Sequence, residues 1–248
     1  MSPLMLGIGS LFVFLAAIVR GYSGFGLSLL AITALSLLMP PATIIPSMFM
    51  LEIAASLHLL PGIWTDIHWR SLAPLIIGCA IGTPLGVWLL ANISAPPMQV
   101  ALALFVLTAV CFHWQGYALK TMPGTAASGV VGAASGLANG AFGIGGPPAI
   151  LFYFASPAGH EAGRASLIAY FLMTDVIGLA FLGRQALITW NTFYMALIFL
   201  PALILGNWIG ARGFKSADPA TFRKWVLILL ALLAVLSAIK GIAAYWQG

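Results

Sequence analysis

The chain has 248 residues, of which 62% are hydrophobic and only 6% are charged. A soluble globular domain carries about 25% charged residues, so this composition excludes a soluble enzyme or binding module and predicts an all-α polytopic membrane protein. The net charge of +5 comes without a basic stripe, so we expect a lipid bilayer and no nucleic acid as partner.

The first half of the sequence predicts a helical hairpin followed by three membrane spans. An apolar run from Pro3 to Arg20 has about the length needed to cross a bilayer. The segment Gly21–Gly26 interrupts this run, and residues 27–39 return from it, since glycine is costly inside a helix. The hairpin at 3–39 and three spans form a first repeat, residues 1–115, with the spans at 42–60, 71–91 and 97–114.

The second half repeats the arrangement after an inter-repeat loop at 116–124. A hairpin at 125–155 contains Gly140–Pro148, whose glycines and prolines cannot continue a helix. A loop at 156–163 follows it. Residues 125–248 form the second repeat, with spans at 164–182, 191–211 and 220–246.

The two halves share the pattern G-x-x-G-x-G, which begins at Gly21 and again at Gly140, 119 residues later. Gly82 and Gly86 match Gly206 and Gly210 at an offset of 124 residues. A hairpin plus three spans crosses the membrane an odd number of times, so the second copy must be inverted relative to the first. Inverted repeats with interrupted helices are typical of secondary transporters.

Glycines also recur every four residues in the second span, at Gly78, Gly82 and Gly86. Small residues at this spacing indicate a close helix–helix contact. The contact can lie within the chain or between two copies of it, so a homodimer is a possible assembly.

The two glycine motifs are the candidate anion site. Broken backbone at membrane depth is tolerated only where it is buried in protein or lines a cavity. A helix should begin after each break, near Gly26 and Gly146, and a helix N-terminus binds anions through free N–H groups. The candidate substrate-binding residues are Arg20, Gly21, Ser23, Gly24, Gly26, Asn139, Gly140, Gly143, Gly145 and Gly146.

Three of these candidates have a structural alternative. Arg20 is either a ligand for two oxygens of the anion, a cap on the end of its helix, or a residue that snorkels to the interface. Ser23 and Asn139 either donate to the anion or stabilise the turns beside them.

Glu52 and Asp175 lie in the middle of matching spans and are the candidate proton-coupling residues. Burial favours the protonated form of a carboxyl group, which can then carry a proton. The alternative is that either acid pairs with Arg20 and serves the structure. No cluster of residues has metal-ligand spacing, so we expect neither a metal nor a cofactor.

With both motifs described, the chain resembles the sulfite exporter TauE/SafE family of membrane transporters over essentially its whole length. Gly140–Pro148 is the more specific of the two motifs. The resemblance implies a carrier of small sulfur-containing anions, such as sulfite or an organosulfonate.

Together these features predict a secondary transporter that works by alternating access and is not an enzyme. An anion channel built on the same site is the alternative. An embedded enzyme would need a nucleophile–base set or a metal cluster, which the sequence lacks. A scaffold protein would have no use for buried acids and broken helices.

Lysine and arginine residues predict the orientation, because they are enriched on the cytoplasmic side. The side with only Arg184 and Lys240 is then outside, and both termini lie there in the cell membrane. The side predicted to be cytoplasmic carries Arg70, Lys120, Arg164, Arg212, Lys215, Arg223 and Lys224.

Overall fold

A computed structural model describes residues 3–115, 123–155, 160–213 and 219–247, and within these ranges it contains helices and no strand. Most of the predicted loop 116–124, half of the predicted loop 156–163, and Lys120 and Lys215 lie outside the described residues. The ten α-helices are α1 (Pro3–Ser23), α2 (Leu27–Leu35), α3 (Pro41–Ile63), α4 (Trp69–Asn92), α5 (Ala95–Gln115), α6 (Thr125–Phe142), α7 (Gly146–Ala155), α8 (His160–Arg184), α9 (Trp190–Gly213) and α10 (Pro219–Gln247).

In the described part of the chain, 7 helices are long and apolar enough to cross a membrane. They are α1, α3, α4, α5, α8, α9 and α10. The prediction of an all-helical, multi-pass membrane protein is therefore confirmed. The first limb of the predicted hairpin, α1, is itself of spanning length, whereas α2 and α7 are short.

Both glycine breaks are shorter than the sequence predicts. Helix α1 continues through Gly21 to Ser23, and α6 continues through Gly140 to Phe142. The backbone leaves the helix only at Gly24–Gly26 and Gly143–Gly145. Gly24, Gly26 and Gly143 have φ values of 83°, 95° and 67°, a left-handed conformation that glycine adopts without steric cost.

The glycine stripe of α4 packs against α6 within the same chain. A Cβ added at Gly78, Gly82 or Gly86 would overlap the α6 backbone, and one added at Gly132, Gly136 or Gly140 would overlap the α4 backbone. The predicted close helix contact is confirmed, and it uses the surface that had suggested a homodimer. The two helices approach closely because neither carries side chains at the crossing.

Helix α9 packs against α1 through equivalent glycines. Gly21 lies against the backbone of Asn207, as Gly140 lies against that of Thr83. Gly206 and Gly210 meet Phe14 and Ile18 on α1, as Gly82 and Gly86 meet Ala133 and Leu137 on α6. The contacts recur at the sequence offsets of 119 and 124 residues, which supports the duplication. The inverted orientation of the copies stays a prediction.

Candidate functional site

The two breaks face one small buried cavity. Its volume is about 20 Å³. The lining residues are Gly26, Ser28, Leu29, Glu52, Asn139, Gly143, Ile144, Gly145, Gly146, Ile150, Phe171 and Asp175.

Arg20 and Glu52 form a buried ion pair between α1 and α3. Arg20 is 1% exposed and Glu52 is 4% exposed. Arg20 also donates from Nη2 to Ser56 Oγ at 2.9 Å, while its buried Nε–H has no hydrogen-bond partner among the residues that the structure describes. The structure thus shows the pairing that was the alternative role for Glu52, and it places Arg20 behind Glu52 rather than on the cavity wall.

Glu52 also binds the N-terminus of α2. Its Oε1 accepts hydrogen bonds from Ser28 N at 3.1 Å and from Ser28 Oγ at 2.9 Å. Ser28 is the second residue of α2, so its N–H is one of the groups that the helix leaves unpaired. The carboxylate therefore sits where the positive end of the helix dipole favours an anion.

The opposite end of the α2 segment carries a cation. Lys240 of α10 donates from Nζ to the carbonyl oxygen of Leu37 at 2.8 Å, and Gln99 donates to that of Ser36 at 2.9 Å. A cation at the C-terminal end complements the dipole as Glu52 does at the other end. This short segment is held by opposite charges at both ends.

Asn139 ties the second break to α8. Its Oδ1 accepts from Gly145 N at 3.2 Å, and its Nδ2 donates to Asp175 Oδ1 at 3.3 Å and to Thr174 O at 3.3 Å. Asp175 is 3% exposed, and among the described residues it has no ion-pair partner within 4.0 Å. Asp175 is therefore a cavity carboxyl group that is hydrogen-bonded to an amide, with no cation beside it in the described part of the chain.

The two breaks have equivalent geometry. The N–H of Gly24 donates to Arg20 O at 2.6 Å, and the N–H of Gly143 donates to Asn139 O at 2.8 Å. Arg20 and Asn139 thus occupy the same position in each break, and each side chain contacts the acid of the next long helix. Although Glu52 and Asp175 miss strict sequence alignment, the fold gives them matching neighbours.

Of the ten predicted substrate-binding residues, Gly26, Asn139, Gly143, Gly145 and Gly146 line the cavity. Arg20, Gly21, Ser23, Gly24 and Gly140 do not.

Four of the non-lining residues make local contacts. Gly21 and Gly140 lie in helix contacts, and Gly24 lies against the side chain of Arg164. Ser23 Oγ is 2.8 Å from Val19 O and 2.7 Å from Phe25 O, so its single hydrogen is used within the turn. These positions account for glycine and serine without a ligand.

Sequence reasoning missed five lining residues, namely Ser28, Leu29, Ile144, Ile150 and Phe171. Ser28 could have been predicted from the sequence, because it lies in the first turn after the break. A hydroxyl at this position can donate to a ligand bound at the helix N-terminus. Nothing in the sequence distinguishes the four apolar residues, since leucine, isoleucine and phenylalanine are common throughout this chain.

Comparison with known proteins agrees with the family resemblance seen in the sequence. The sequence profile of the family described as "Sulfite exporter TauE/SafE" matches residues 10–237. A protein of Cupriavidus necator named "Probable sulfite/organosulfonate exporter TauE" is 29% identical over 245 residues, which cover 96% of this chain and 93% of the relative. No solved structure matches the chain significantly.

Proposed function

Since the chain belongs to the sulfite exporter TauE/SafE family, we propose that it is a secondary transporter of a small sulfur-containing anion, either sulfite or an organosulfonate. The names of the family and of the relative indicate export. The observation that carries the proposed site is the meeting of two helix N-termini, α2 and α7, at one buried cavity.

The proposed mechanism is alternating access around this cavity. In this mechanism the two halves of the protein move relative to each other to load and release the anion. The glycine backbone of the breaks allows close approach of sulfonate oxygens to N–H donors. Rocking of the predicted inverted repeats would open the site to each side in turn.

Proton coupling follows from the charges of the cavity. An entering anion meets the carboxyl groups of Glu52 and Asp175, with Arg20 behind Glu52 as the balancing cation. Protonation of either acid removes a negative charge from the site and favours the anion. We propose that at least one of them takes up a proton when the anion binds.

The proposed setting is the cell membrane with both termini outside. This orientation rests on the distribution of lysine and arginine. Of the two basic residues predicted outside, Arg184 ends α8 and Lys240 lies near the end of α10.

We expect sulfite or an organosulfonate to raise the unfolding temperature of the purified protein in detergent. A ligand at 100 times its Kd stabilises the folded state by about 2.7 kcal/mol. The panel contains sulfite, sulfate, thiosulfate, sulfoacetate and taurine, with acetate and chloride as controls for general salt effects. If no sulfur-containing anion stabilises the protein more than chloride does, the proposed site is wrong.

We expect the stabilising anion to show saturable exchange and counterflow in proteoliposomes. A carrier must bind substrate on each side before it reorients, so unlabelled anion inside should accelerate uptake of labelled anion. Vesicles without protein provide the control. Unitary currents in planar bilayers, without counterflow, would instead favour the channel.

Binding of methanesulfonate is expected to tighten as pH falls. This sulfonate stays ionised, so the change must come from the protein, where Glu52 and Asp175 line the cavity and Arg20 is paired with Glu52. Uptake of one proton with the anion predicts up to about tenfold tighter binding per pH unit. Titration calorimetry at several pH values measures it, and pH-independent binding would remove proton coupling from the mechanism.

A further inference from the structure

The N-terminus of α2 already holds an anion, the carboxylate of Glu52. The N–H and hydroxyl of Ser28 donate hydrogen bonds to it, and the guanidinium of Arg20 forms an ion pair with it. All of them belong to side chains or backbone at the first break. Helix N–H groups, a hydroxyl and a guanidinium are also the donors that bind sulfonate or sulfite oxygens.

We propose that the Glu52 carboxylate is an internal substitute for the transported anion. In the empty protein it occupies the donors at the N-terminus of α2, and a small monovalent oxyanion replaces it there. The inference rests on the proposed function and deepens it, because it locates the anion at Ser28 and Arg20 and makes Glu52 its competitor.

The charges make the two occupants mutually exclusive. Arg20 and Glu52 form a neutral pair, buried at 1% and 4% exposure. An added anion beside a charged Glu52 would place two negative charges on one cation, and Asp175 lines the same cavity. Like charges that close together in a buried site are strongly unfavourable. The anion therefore binds only when Glu52 leaves the donors or loses its charge.

The second break lacks this arrangement. Pro147 stands at the position that corresponds to Ser28, and proline has no N–H to donate. Asn139 replaces Arg20, and Asp175 bonds to Asn139 rather than to the start of α7. The exchange between carboxylate and substrate is thus confined to α2.

The first test removes the carboxylate and supplies a free one. We expect formate, which is about the size of the carboxylate removed in Glu52→Ala, to raise the unfolding temperature of that variant in detergent more than that of the wild type, where the Glu52 carboxylate competes with it. Asp175→Ala is the matched control, since it also removes an acid from the cavity but none from α2. The proposal is overturned if formate stabilises Glu52→Ala no more than Asp175→Ala.

The second test keeps the side chain nearly intact. Glu52→Gln is expected to bind methanesulfonate at least tenfold more tightly than the wild type, and adding Ser28→Ala should remove most of that gain. Glu52→Asp retains the charge for Arg20 but is too short to reach α2, so it too should bind more tightly. Its retained charge protects folding if the neutral variants prove unstable.

These experiments distinguish failure of the competition by Glu52 from failure of the proposed function. If the wild type binds methanesulfonate and neither Glu52→Gln nor Glu52→Asp binds it more tightly, Glu52 does not compete with the substrate, whereas the proposed function stands. If no variant and no wild-type protein binds any sulfur-containing anion, the proposed function fails together with the inference.

Discussion

Replacing Gly136 with valine is expected to abolish folding into a single stable species. A Cβ at this position would overlap the backbone of Cys79, including its carbonyl oxygen. Because the obstacle is backbone, α4 and α6 would have to separate along their shared stripe. Overpacking of a core typically costs about 1–3 kcal/mol, and we expect the upper end or beyond. Size-exclusion chromatography and thermal unfolding in detergent measure the effect.

Gly7→Val is the matched control for this change. Gly7 also lies inside a membrane helix, and a Cβ added there would meet nothing within 4 Å. A helical glycine that is exposed tolerates substitution, because most other residues are better helix formers. If Gly136→Val behaves like Gly7→Val, the close contact between α4 and α6 is wrong, and with it the position of the second break.

Arg20→Ala is expected to abolish anion binding and transport and to destabilise the protein. Removing one partner of a buried ion pair leaves an uncompensated charge and costs about 3–5 kcal/mol; here the orphaned group would be Glu52. The loss of function has a separate cause, since the anion also loses the guanidinium that would balance its charge. Unfolding in detergent and flux in proteoliposomes measure the two effects.

The double variant Arg20→Ala with Glu52→Ala separates stability from function. Removing both charges should restore more than half of the lost stability, because no ion is then left buried alone. Transport should stay absent, since the balancing cation is still missing. A double variant that transports at the wild-type rate would show that Arg20 has only a structural role.

Ser28 and Glu52 show how the candidate site differs from its prediction. The sequence indicated an anion at the start of α2, and the structure places a carboxylate of the protein itself there. Arg20 was predicted either as a ligand of the anion or as the partner of a buried acid; the structure pairs it with that carboxylate, and its role as a ligand stays a prediction. Arg20 and Glu52 were both identified as functional candidates, yet their pairing depends on how α1, α2 and α3 pack together.

The sequence alone determined the membrane class, the helical character and the approximate positions of the two breaks. These properties are local: hydropathy is set by composition over a span, and a left-handed turn or a close helix crossing requires glycine at a specific position. Gly24, Gly143 and the stripe beginning at Gly78 could therefore be interpreted without a fold.

Only the tertiary structure decided which side chains meet at and around the cavity. Arg20 meets Ser56, and Asn139 meets Asp175, across 36 residues of chain in each case. Such contacts depend on how whole helices pack, and no local pattern encodes the distance between two helices. The carboxylate at the N-terminus of α2 could likewise be found only in the tertiary structure. The local sequence predicts where this helix begins, but the group that binds its N-terminus comes from α3.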